Sequence, residues 1–174
     1  YSLKRNTKRN RRVVWPNDQN SRPARLKQLR IEDQYLNRTA QCHCGAVTVK
    51  VAGEPELTFM CHCEFCQRRT GSSYHLDAWF PKTSASIEGP TNIYSRKGDR
   101  GDSLVFHFCP TCGSNVYFYL PEVLPEMIGI AVGCFADPDF PSPKVSIYEK
   151  RQHRWLGVPS DTQRHENGIV FREE

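Results

Sequence analysis

The chain has no run of about 18 apolar residues, so nothing in it is long enough to cross a membrane as a helix. No charged-then-apolar segment opens it, so no secretory signal is expected, and the cytoplasm is the expected location. The first residue is Tyr rather than Met, as expected of a processed start. Long amphipathic helical patterns and internal repeats are missing. No βαβ pattern surrounds Cys109 and Cys112, which argues against a thioredoxin-like redox pair. Acidic residues are nearly absent from the first 30 positions, where ten Lys or Arg face Asp18 alone, a net of +9. The whole chain is +5, so residues 31–174 carry the difference, −4. The positive charge therefore belongs to an arm, which reads as a solvated tail able to touch polyanions, nucleic acid included, by counterion release. Within it, "SRPARLKQLRIEDQYL" predicts a short helix capped by Ser21, with Pro23 in its first turn.

What is present is a chain of 174 residues, enough for one domain with tails. From about residue 40 it reads as short strands separated by turns, which makes the class mainly β. "GAVTVKV" alternates, with Val47, Val49 and Val51 on one face. "YHLDAWF" sets Tyr74, Leu76, Ala78 and Phe80 opposite His75, Asp77 and Trp79. "SLVFHF" and "NVYFYL" are aromatic and β-branched runs of strand length. "MIGIAVGCF" predicts a buried strand with Ile128, Ile130, Val132 and Cys134 on one face, and "EFCQRRT" predicts one or two turns of helix.

Eight cysteines are present, and seven fall in tight clusters. Cysteines one residue apart rarely reach disulfide geometry with each other, whereas close pairs converge readily on a metal. "CPTCG" at 109–113 reads as a metal knuckle, its glycine supplying the left-handed backbone such a turn requires. "CHCG" at 42–45 supplies two further thiols, Cys42 and Cys44 facing alike and His43 facing away as in an extended segment. Cys42, Cys44, Cys109 and Cys112 then form a closed tetrahedral set, the structural kind of zinc site. Cys61, Cys63 and Cys66 remain. A fourth ligand from Cys134 or His62 would close that site, as in a zinc ribbon that only holds a shape. Cys134, however, ends an apolar stripe where a lone thiol packs as a small core residue, and alternation turns His62 away. An exchangeable fourth position, the mark of a catalytic zinc, is the reading adopted.

The order C-x-C-G, then C-x-C-x-x-C followed by arginine and "TGS", then F-C-x-x-C-G-S, resembles the glutathione-dependent formaldehyde-activating enzyme family, which includes centromere protein V. The pieces are "CHCG", "CHCEFCQRRTGS" and "FCPTCGS", with "VGCFADPDFPSP" and "RQHRWLGVP" resembling the family's later segments. The resemblance implies an Mss4-like β-tent domain over residues 38–160, between a basic arm at 1–37 and a tail at 161–174. It implies two zinc ions, a structural one on Cys42, Cys44, Cys109 and Cys112 and a catalytic one on Cys61, Cys63 and Cys66. It implies a carbon–sulfur lyase, S-(hydroxymethyl)glutathione synthase-like, that joins the thiol of glutathione to formaldehyde or a related small carbonyl. Only Asp137 precedes Pro138 where many relatives have paired aspartates, and Cys134 stands where many have a small or aliphatic residue.

Arg68, Arg69 and Arg96 are available for the carboxylates of glutathione, and His62, His75 and His107 for proton transfer. His107 is the best placed by sequence, two residues before Cys109 on the same strand face. The alternative function is a non-catalytic, zinc-stabilised binding module whose basic arm engages a polyanion.

Overall fold

The computed structural model describes residues 37–169. The helix expected from Ser21 onward, and the basic arm apart from Asn37, lie outside the described residues. The mainly β expectation holds. The strands are β1 (Asn37–Gln41), β2 (Thr48–Ala52), β3 (Leu57–Cys61), β4 (His75–Pro81), β5 (Ala85–Glu88) and β6 (Asn92–Lys97). They continue with β7 (Ser103–Phe108), β8 (Asn115–Tyr119), β9 (Met127–Ala131), β10 (Val145–Ile147) and β11 (Gln163–Arg164). Among the described residues one α-helix, α1 (Glu64–Thr70), follows β3 and realises the expected turns of "EFCQRRT".

Two sheets form. The smaller has the order β1-β2-β5, and the larger β11-β10-β3-β4-β9-β8-β7-β6. Pairing is antiparallel except at one edge, where β10 runs parallel to both β3 and β11. The alternation read in "GAVTVKV" explains how the sheets meet. Val47, Val49 and Val51 are buried together with Ala78 and Phe80 of β4, Val116 of β8 and Ile128 and Ile130 of β9. The opposite face of the large sheet carries a second apolar cluster that includes Leu57, Phe59, Trp79, Phe106 and Phe118. β3 is buried along its whole length, with Leu57 and Phe59 in this second cluster and the Thr58 hydroxyl donating to the Ser142 carbonyl at 2.9 Å.

One expectation needs correction. The strand predicted through Cys134 stops at Ala131, and Val132–Cys134 winds into a single tight turn. Phe135 and Ala136 donate backbone N–H groups back to Val132 and Gly133, so Val132 and Cys134 leave the strand alternation. Beyond residue 160 the chain still packs: Thr162 is buried, with its hydroxyl donating to the Pro143 carbonyl at 2.8 Å, and β11 completes the edge of the large sheet.

Candidate active site

The first cysteine group joins two turns. Cys42 follows β1 directly, and the chain bends at once: Gly45 N–H donates to the Cys42 carbonyl at 3.0 Å and Val47 N–H donates to Cys42 Sγ at 3.2 Å. The expected pairing of Cys42 with Cys44 is realised, but by a tight turn rather than by strand alternation, and His43 is exposed as expected. Across from it, Gly113 N–H donates to the Cys109 carbonyl, with Gly113 at φ +74° as the knuckle requires. Ser114 ties the two turns, its Oγ accepting from His43 N–H at 3.1 Å and lying 3.3 Å from Cys112 Sγ.

The sulfurs of Cys42, Cys44, Cys109 and Cys112 all lie within 4.8 Å of one another. Cys42 and Cys44 are 3.6 Å apart, and Cys44 and Cys109 are 3.7 Å apart. A zinc with Zn–S bonds of about 2.3 Å spaces its sulfurs about 3.8 Å apart, so the group fits that ion. Hydrogen bonds from the Ser114 hydroxyl and backbone hold Cys112 down to about 5, which favours the thiolate a metal needs.

The second group forms where β3 runs into α1. Cys61 ends the strand, Cys63 caps the helix by accepting from Cys66 N–H at 3.4 Å, and Cys66 lies one turn on. Gly71, at φ +67°, closes α1 and donates its N–H to Gln67. The sulfurs of Cys61, Cys63 and Cys66 lie within 4.8 Å of one another. Donation from Cys61 and Cys66 holds the Cys63 thiol down to about 2, while the same crowding and burial push Cys61 well up. Three sulfurs that resist ionising together match a soft cation, whose charge lets all three ionise.

Neither candidate fourth ligand joins this group. His62 is fully buried but turned toward β10, with Nε2 3.2 Å from Ser146 Oγ. Cys134 Sγ donates to the Asn115 carbonyl at 3.6 Å, packs on the core between the sheets, and is pushed up to about 11 by burial. Among the described residues no further Cys, His, Asp or Glu completes the set.

Cys61, Cys63 and Cys66 open into a cavity of about 450 Å³. Its floor is the outer face of the large sheet, and strand register lays that floor out in rows. Cys61 pairs with His75, Phe59 with Asp77 and Leu57 with Trp79. Successive rows are about 6.8 Å apart along an antiparallel strand. His75 and Asp77 are both buried, and His75 Nε2 sits 3.7 Å from Asp77 Oδ2 with no hydrogen-bond partner. Trp79 Nε1 donates to Asp77 Oδ1 at 2.5 Å. Burial pushes Asp77 up to about 7, and burial pushes His75 down to about 3. This pair carries no charge at moderately acidic pH and sits beside the thiols.

The arginines named from sequence all reach the cavity, joined by Arg100. Arg69 donates to Asn115 Oδ1 at 2.7 Å and lies 4.3 Å over the Phe106 ring, with its buried Nη2 unpartnered among the described residues. Arg96 stacks 3.7 Å over Phe65 at the mouth, and Arg68 pairs with Glu64 on α1. His107, by contrast, is misplaced for the role expected of it. Alternation sends Phe106 into the cavity and turns His107 to the other face, where it stacks on Tyr117 at 4.4 Å and bonds Thr91 Oγ1 at 3.0 Å. Sequence reading passed over Asp77 and Trp79 as site residues. The available signal was a carboxylate two residues from an indole in an otherwise apolar strand.

No match was found among curated proteins. A crystal structure of a Rhodobacter sphaeroides protein is similar at 27% identity, covering 57% of this chain and 91% of that one, with a TM-score of 0.42. The family model described as glutathione-dependent formaldehyde-activating enzyme matches residues 37–151, a span that holds both cysteine groups and β1 through β10. The chain belongs to the glutathione-dependent formaldehyde-activating enzyme family.

Proposed function

We propose that the protein is a zinc-dependent carbon–sulfur lyase, S-(hydroxymethyl)glutathione synthase-like, joining the thiol of glutathione to formaldehyde or a related small electrophile. Cys61, Cys63 and Cys66 hold the catalytic zinc, and Cys42, Cys44, Cys109 and Cys112 hold a structural one. One observation carries the reading: three thiols gather at a cavity wall and no fourth protein ligand joins them among the described residues. Zinc bound there supplies a Lewis acid that makes a coordinated thiol ionise readily.

The chain's own residues do the rest. Arg68, Arg96 and Arg100 at the mouth offer guanidinium groups to the carboxylates of glutathione, which draws its sulfur toward the cysteine group. The apolar walls exclude water, which protects a reversible adduct and strengthens charge interactions within the cavity. Asp77, with a proton affinity near neutral pH, takes the thiol proton. The sulfur then adds to the carbonyl carbon, the π pair moves to oxygen, and Asp77 returns the proton to that oxygen. Reversal of the same transfers releases thiol and aldehyde. His75, neutral above about pH 3, presents its free Nε2 as a hydrogen-bonding partner for the oxygen.

NMR exchange between formaldehyde and glutathione, measured with zinc-loaded protein and corrected for the uncatalysed addition, tests the reading. Acceleration that vanishes in Cys63→Ala supports it. Exchange no faster than the background would sink it.

A further inference from the structure

From the walls of the cavity we infer that the electrophile has an apolar body, aromatic or aliphatic, attached to its carbonyl carbon. The inference rests on the preceding reading, in which Cys61, Cys63 and Cys66 bring a thiol to the reacting position.

The cavity is too large and too apolar for formaldehyde alone. Formaldehyde has two heavy atoms and needs on the order of twice the 30 Å³ share of a water molecule. The cavity is about 450 Å³, within the range that holds ligands of drug size. Nor do the walls suit the tripeptide. Glutathione carries two carboxylates, an ammonium and two amides. Of the guanidinium groups that could meet such charges, those of Arg68, Arg96 and Arg100 stand at the mouth. Arg69 alone reaches inward, lying over Phe106 with one buried nitrogen unpartnered among the described residues, enough for a single carboxylate at most.

From the chamber floor outward, one row of aromatic rings spans five neighbouring strands, four of which contribute a ring, and runs from the buried Trp79 to the exposed Tyr94. Trp79 of β4 meets Phe118 of β8 at 4.9 Å, Phe118 meets Phe106 of β7 at 5.4 Å, and Phe106 meets Tyr94 of β6 at 6.4 Å. The row is continuous although β9 intervenes between β4 and β8, because β9 contributes Gly129 at that register and the Phe118 ring lies over it. Leu104 and Leu124 line the same chamber.

The chamber is also ordered by polarity. Cys61 and His75 form the first row of the floor, Asp77 stands in the second, and Trp79 begins the aromatic row in the third. A molecule lying along these rows would place a carbonyl oxygen by His75 and Asp77, its carbon facing the thiol, and its substituent against the rings. The unpartnered Nε2 of His75, on a residue only 4% exposed, is the polar atom such an oxygen would satisfy. Thiol and aldehyde combine without an oxidant or reductant: the S–H and C=O π bonds are consumed, and one C–S and one O–H bond form.

The test uses zinc-loaded full-length protein with glutathione and the straight-chain aldehydes from ethanal to pentanal, whose carbonyls differ little in reactivity, with formaldehyde as the reference. Each methylene buried is worth about fourfold, so kcat/KM should climb by about that factor per carbon until the chamber is full. Leu104→Trp, which narrows the chamber, should cut the pentanal-to-ethanal ratio at least fivefold. Benzyl alcohol, which cannot react, should show saturation-transfer NMR contact with the protein, lost when benzaldehyde competes. A flat or falling series with formaldehyde turned over would overturn the apolar body and leave the lyase reading standing. Turnover of no aldehyde at all would overturn both, and absence of benzyl alcohol contact would overturn the inference whatever the kinetics.

Discussion

Trp79 Nε1 donates to Asp77 Oδ1 at 2.5 Å, so an indole two residues along the same strand secures one oxygen of a carboxyl that is 5% exposed. The other oxygen faces His75 at 3.7 Å, and no lysine or arginine forms an ion pair with Asp77 among the described residues. Burial outweighs both the hydrogen bond from Trp79 and the nearby Arg69 charge, which is why the group holds its proton up to about 7.

That relationship sets a pH dependence of stability. Asp77 has a folded-state pKa raised from 3.8 to about 7, so between those values the native state holds a proton the unfolded chain has lost. Its contribution is fully favourable below about pH 4 and is lost as pH rises through 7, a difference on the order of 4 kcal/mol. Asp77→Asn keeps the acceptor for Trp79 and removes the titration. Its melting temperature should exceed that of the unaltered protein by a margin that grows from pH 5 to pH 8. Thermal scans at both values check this; a margin independent of pH would contradict it.

The two cysteine groups should fail differently. Cys109 is fully buried and its turn joins both sheets through Ser114 and Cys42, so Cys109→Ala should prevent stable folding. A structural zinc contributes about 10–16 kcal/mol in small peptides, comparable with the whole net stability of a domain. Cys63→Ala should fold, bind one zinc fewer, and lose turnover. Metal analysis and circular dichroism of the two variants distinguish these outcomes.

Gly129 is required by what lies above it. A Cβ at this position would sit 2.6 Å from Cε1 of Phe118, inside the aromatic row. Gly129→Ala should cost about 1–3 kcal/mol by overpacking. Denaturant melts should register that loss, and displacement of the Phe118 ring should weaken benzyl alcohol binding in parallel.

Tyr148 holds the rim. Its hydroxyl donates to Asp99 Oδ2 at 2.7 Å, in the β6–β7 loop, and its backbone stands at φ +59°, a conformation unusual for a tyrosine. Tyr148→Phe keeps the ring and frees the loop. Amide hydrogen exchange over residues 98–102 should quicken several-fold with little change in melting temperature, and KM for the aldehyde should rise more than kcat falls.

Much of this was legible before any coordinates. Cysteine spacing pairs Cys42 with Cys44 and Cys109 with Cys112, and gathers Cys61, Cys63 and Cys66, because C-x-C and C-x-x-C bring thiols together locally. The meeting of the first two pairs, by contrast, is a contact between distant parts of the chain. The valines of β2 and its approach, and the opposed faces of β4, followed from strand alternation, which depends only on backbone geometry. The turn at Cys42–Cys44 was reached for the wrong geometric reason, since both an extended segment and a tight turn can bring i and i+2 together.

Sequence by itself determined the strand-rich class and the clustering of the thiols, and left open whether Cys134 or His62 joins the group of three; the structure turns His62 to Ser146 and Cys134 to the Asn115 carbonyl. Only the tertiary structure decided which histidine meets the cavity, because a strand's two faces look equivalent until something packs on one of them. His107 and Phe106 are neighbours, yet pairing with β8 and packing of the small sheet put one on each side. The aromatic row is likewise nonlocal: Trp79, Phe118, Phe106 and Tyr94 are adjacent because strands distant in sequence pair in one register, and burial on that shared face gives Asp77 its proton.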